Sequence, residues 1–206
     1  MSVYHWILLC GFALFLISAL SMFFTVFFKK ESDDPSPARG NINSAIIYSF
    51  TGAMSPVKKE SAYLHIPTYT AGLIFHLGTF FSFFWLIILF FDIQFYKWFD
   101  YTSSLLIFTA GICGIGILIK RIVSLKLKSL SNPDDYISNI LVTGFQAITA
   151  LTIILPHILP SLFIYSTLLF LYMPVGKLRH TIYFFTSRIK LGMFYGKRGV
   201  WPEKGN

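Results

Sequence analysis

Five histidines are the residues of this chain best suited to hold a ligand: His5, His65, His76, His157 and His180. Each lies in or at the edge of a long apolar stretch. Ionisable groups are costly there, and those retained usually face a bundle interior or a cofactor. His65 and His76 are eleven positions apart. In a helix that spacing is three turns plus about 20°, so both imidazoles project from nearly one face, about 16 Å apart along the axis. Such a pair suits two stacked b-type haems, each completed by a ligand from an opposing helix. Bis-histidine ligation leaves the iron no open position, which favours electron transfer over oxygen chemistry. His180 ends another apolar stretch at about the depth of His65 and is its natural opposite ligand. The residue opposite His76 stays open between His157 and His5. Between His157 and His180 there is about 34 Å of helical rise, against about 16 Å between His65 and His76. The alternative for any edge histidine is an ordinary polar residue at the headgroup level.

Other chemistries find little support. Cys10 and Cys113 sit in apolar stretches with no CxxC or CxxCH, which excludes c-type haem attachment and a cysteine-held iron–sulfur cluster in this chain. There is no Walker motif, HExxH or Ser-His-Asp spacing. None of the nine acidic residues falls inside a long apolar stretch, which argues against a carboxylate proton relay. Asp134 and Asp135, in "SNPDDYISN", read as solvated turn residues.

The elements that must position the histidines are membrane spans. The chain has 206 residues, 55% hydrophobic and 13% charged, with a mean hydropathy of +0.65. That is more apolar surface than a water-soluble domain of this size can hide. Spans are expected near 3–28, 64–91, 101–120, 139–156 and 160–180, with a basic tail over 181–206. No cleaved signal peptide is expected, because the first stretch begins at once without a basic n-region. Gly72, Gly78 and Gly176 offer places of close approach. Ser138 or Asn139 is the expected cap of the fourth span. Lys and Arg number five in 29–63, four from Lys120 to Lys128 and seven from Lys177 onward. The 92–100 link has Lys97 alone, and "PHILP" has none. The positive-inside rule then gives an all-α five-helix bundle with its N-terminus outside and its C-terminus cytoplasmic. The net charge of +8 is thus concentrated beside spans, which speaks for membrane orientation and not for nucleic acid. "NINSAIIYSF" is apolar enough to lie on the interface or against a partner.

The stretches "SPARG", "SFTGAMSPVKKES", "HIPTYTAGLIFHLGTF", "LSNPDDYISNILVTGFQ" and "MPVGKLRHTIYFFTSRIKLGMFYGKRG" resemble the membrane cytochrome b subunits of the respiratory nitrate reductase gamma family. They are closer still to the cytochromes of sulfite-reduction-associated and heterodisulfide-reductase-like complexes. The resemblance implies a multi-pass subunit of a prokaryotic inner membrane with two haems b. It would be the electron-transfer subunit of an oxidoreductase, exchanging electrons between menaquinone or another quinone and a cytoplasmic-side iron–sulfur subunit. His65 and His180 would hold the inner haem and His76 the outer one. The family's partner for His76 falls where this chain has Leu162, so His157 would have to replace it. Lys97 lies near the place of a lysine that assists the quinone.

Overall fold

The computed structural model describes residues 1–29, 37–55 and 65–202, and every regular element among them is helical. Four helices are long and apolar enough to cross a membrane: α1 (Val3–Phe27), α3 (Ile66–Phe90), α4 (Lys97–Val123) and α6 (Pro133–Ile154). The shorter helices are α2 (Ile42–Phe50), α5 (Leu125–Ser129), α7 (Leu159–Tyr172) and α8 (His180–Lys197). By length and hydropathy a fifth crossing is reached when α7 and the segment after it are counted together as one bent pair. By itself α7 rises about 21 Å, short of a hydrocarbon core of about 30 Å. The chain is therefore a multi-span helical membrane protein.

Three expected boundaries move, each for a local reason. The fourth span starts at Pro133, not 139. The Asn132 side chain accepts from the Asp135 N–H at 3.1 Å, and the Asp135 carboxylate accepts from the Asn132 N–H at 2.9 Å. This capping box, with Pro133 at the first helical position, satisfies donors that open a helix. Ser138 and Asn139 are helical and do not cap it. The third span starts at Lys97, leaving a shorter link than expected. The fifth stretch does not run unbroken to residue 180. It stops at Tyr172, two residues before Pro174, whose missing N–H and ring oppose a continuing helix. Gly176 turns there against the Tyr172 ring, which a Cβ would meet at 2.2 Å.

The chain divides into two compact units. In the first (Met1–Leu16 and Ile66–Leu178), α3, α4 and α6 pack through small residues and buried hydroxyls. A Cβ on Gly78 would lie 2.1 Å from that of Ala110, and one on Gly114 would strike both Phe75 and Thr143 at 2.5 Å. Ser104 Oγ donates to the Ala150 carbonyl at 2.8 Å. Lipid offers helices no hydrophobic drive to associate, so close packing and interhelical hydrogen bonds take its place. Phe75, Phe145, Leu162, Phe163 and Phe170 form the main core. Against the expectation for it, Gly72 has nothing within 4 Å of an added Cβ.

In the second unit (Ile17–His65 and Arg179–Asn206), α2 packs on α8. A Cβ on Gly192 would lie 2.5 Å from the Ile46 Cα, and one on Gly196 2.7 Å from the Ala45 Cβ. Ser49 Oγ donates to the Arg188 carbonyl at 2.8 Å, and the Arg39 N–H to the Lys197 carbonyl at the same distance. Gly199, at φ +68°, closes α8. The Val200 N–H then reaches the Tyr195 carbonyl at 3.0 Å, a hydrogen-bonded helix stop. Residues 181–197 of the basic tail are thus helical, and "NINSAIIYSF" packs against them. Residues 30–36 and 56–64 of the connecting link lie outside the described residues.

Candidate functional site

His76 projects from the exposed side of α3, in company with exposed Leu73, Leu77 and Phe80. The opposite side of that helix is already filled: Phe75, Gly78, Ser82 and Trp85 are buried against the bundle. Gln146 of α6, with no exposed surface, secures this face. Its Nε2 donates to the Phe75 carbonyl and to Thr79 Oγ1, both at 2.8 Å, while its Oε1 has no hydrogen-bond partner. A buried glutamine joining helices is worth making only when its amide N–H groups are used, since the alternative is an unmet polar group in hydrocarbon.

His65 is the turn residue before α3 and is exposed. The helix begins one residue later, so helical geometry does not fix the two imidazoles on one face. His157 is exposed in a 3-10 turn, Pro156–Ile158, past the end of α6. His5 packs edge-on against Phe163 (4.8 Å between ring centroids) and against Phe90 (5.2 Å), with its Nδ1 accepting from the Ser2 N–H at 3.1 Å. Phe90 ends α3, fourteen residues beyond His76, which is about 21 Å of rise. His5 therefore does not meet His76 at one depth, and His157, beyond the far end of its own helix, is displaced the same way. Leu162 is fully buried in the apolar core. A cavity of about 440 Å³ between α1, α3 and α7 is lined only by apolar side chains, and none of the histidines lines it. One iron needs both axial ligands at a common point, and neither His5 nor His157 meets His76 at its depth to hold an outer haem.

His180 differs from the outer candidates. It opens α8, exposed, and belongs with His65 to the second unit. Both members of the expected inner pair are thus exposed imidazoles of one compact unit. Lys97 is the exposed first residue of α4, with Asp100 in the same turn. A cation at that end opposes the helix dipole, so helix stability does not account for it. Among the described residues no group of three or more His, Cys, Asp or Glu side chains is arranged to hold a metal ion.

No family model, curated protein or solved structure matches the chain.

Two features escaped the sequence reading. Asp135 is not a solvated turn residue. Its side chain is 5% exposed, with Arg121 Nη1 at 3.3 Å and Lys177 Nζ bonded to the same oxygen. This carboxylate ties the end of α4 and the turn after α7 to the start of α6. Close by, Ser138 Oγ and Tyr172 Oη share a hydrogen bond at 3.2 Å. The second feature is the connection between α4 and α6. Ser124 caps α5 by accepting from the Leu127 N–H at 3.4 Å, and Ser131 Oγ, held by Arg121 at 3.1 Å, donates to the Leu127 carbonyl at 2.7 Å. Val123, which ends α4, and Leu125 and Leu130 on this connection are 73%, 84% and 76% exposed, with Lys126 and Lys128 exposed between the two leucines.

Proposed function

We propose that the chain is the membrane anchor subunit of a respiratory oxidoreductase complex, oriented with its N-terminus outside and its basic end in the cytoplasm, an orientation in which α7 makes the fifth crossing as a short span accommodated by local thinning of the bilayer. The observation that carries anchoring is the α4–α6 connection. Aliphatic side chains standing in the open on a capped, hydrogen-bonded loop suit a protein partner, and the lysines around them suit an acidic one. The respiratory setting comes from the family resemblance, which makes a cytoplasmic-side iron–sulfur subunit the expected occupant. Purification from the native membrane through a tag on this chain tests the reading. A peripheral partner co-purifies with the parent and is lost from Leu125→Asp/Leu130→Asp, while the double variant stays in the membrane. Retention of the partner by that variant would sink the assignment.

A second reading, a b-type cytochrome, is favoured by the placement of His65 and His180 in one unit. Those two imidazoles would be the axial ligands of a single inner haem b, which when bound supplies one-electron transfer. In that version Lys97, exposed at the start of α4, would donate a hydrogen bond to a quinone carbonyl.

A further inference from the structure

The second unit carries most of the chain's charge. By sequence it holds eleven Lys and Arg against five Asp and Glu, a net +6 out of +8. Every Asp, Glu, Lys or Arg among its described residues is a cation: Lys29, Arg39, Arg179, Arg188, Lys190, Lys197 and Arg198. Large apolar side chains are exposed among them, with Ile47 on α2 at 65% and Phe185 and Phe194 on α8 at 56% and 49%. The Arg198 guanidinium lies 3.5 Å above the Phe194 ring. Within the same unit, Lys190 Nζ sits 5.7 Å from the ring centre of Phe27, the last residue of α1. That contact sets the middle of α8 at the level where a membrane-crossing helix ends. A helix with Arg188, Lys190 and Lys197 along its length is not itself a span. Exposed aromatic and aliphatic groups mixed with cations at headgroup depth define an interfacial helix.

We infer that α2 and α8 form a lipid-binding platform, which engages anionic phospholipid headgroups in the leaflet at which α1 ends. The cations pair with phosphate and the exposed Ile47, Phe185 and Phe194 enter the acyl boundary. The proposal is separate from partner docking, which uses the α4–α6 connection of the other unit.

Hydrogen–deuterium exchange of the full chain in lipid nanodiscs tests it without any partner. In discs containing phosphatidylglycerol, amides of 42–50 and 180–197 exchange about fivefold more slowly than in pure phosphatidylcholine, the factor that one well-engaged cation supplies. Amides of α3 and α4 exchange equally in both discs. Arg39→Gln/Arg198→Gln narrows the difference while helical content, read by circular dichroism, stays at the parental level. Equal exchange of α2 and α8 in both discs overturns the proposal. If exchange is equal in both but slows when the native partner is added, the platform belongs to an acidic protein and the lipid assignment fails. Lipid-dependent exchange intact, with no peripheral partner co-purifying with the parent chain or with the partner retained by Leu125→Asp/Leu130→Asp, would sink the anchor reading alone.

Discussion

Asp135 and Arg121 meet at 3.3 Å across the boundary between α6 and α4, with the carboxylate almost wholly buried and the guanidinium about a third exposed. Lys177 bonds to the same carboxylate oxygen from the turn that follows α7. The other oxygen closes the capping box with Asn132. One side chain therefore starts a helix and holds two further segments to it.

Replacing Asp135 separates these roles. Asparagine keeps an acceptor for the Asn132 N–H but leaves Arg121 and Lys177 facing each other without an anion. Removing one partner of a fully buried pair costs about 3–5 kcal/mol. Here the cations are 30% and 50% exposed, so solvent screening reduces the expected cost of Asp135→Asn to about 1–2 kcal/mol. Asp135→Ala loses the box as well, adding about 1 kcal/mol. Thermal unfolding in detergent, followed by tryptophan fluorescence, reads the order parent, Asn, Ala. An Asn variant as stable as the parent would show that the ion pairs carry no net stability.

The glycines of α3 give a paired prediction. Gly78→Ala drives a methyl into the Ala110 Cβ, 2.1 Å away, on two buried helix faces. Overpacking of that kind costs about 1–3 kcal/mol. Gly72→Ala meets nothing within 4 Å and exchanges a poor helix former for the best one, gaining up to about 1 kcal/mol. The two substitutions should move the unfolding midpoint in opposite directions. A fall of similar size in both would place the sensitivity in the helix itself and not in its contact with α4.

Much of this architecture was legible in apolar run length. α1 and α3 fall within two residues of the expected spans because uninterrupted hydrocarbon-compatible sequence leaves a helix no alternative to making its own hydrogen bonds. Starts and stops were less legible. The pattern Asn132-Pro133-Asp134-Asp135 contains its capping box in plain letters, yet it resembles a polar turn until Asp135 is known to be buried. Pro174 signalled a break that the apolar stretch around it concealed. Gln146, in "LVTGFQ", was the intramembrane polar residue most in need of a partner. Only the packing shows that its partners are Phe75 and Thr79. The partner of His76 stayed open in the sequence, because spacing along one chain does not set the height of a turn at the end of another helix.

Haem stoichiometry decides between the two functional readings. The complex is purified with its lipids and partner, and haem per chain is measured as the pyridine haemochrome in the parent and in four single variants. A cytochrome built on the inner pair gives one haem, lost in His65→Ala and in His180→Ala and retained in His76→Ala and His157→Ala. The expected loss is complete, because iron held between two imidazoles keeps no bis-histidine spectrum once either is gone. Two haems in the parent, with one lost on removing His76, would overturn the depth argument that separates His76 from His157 and His5. No haem in an intact complex that still holds its partner leaves the anchor, and then His65→Ala and His180→Ala should leave partner co-purification unchanged.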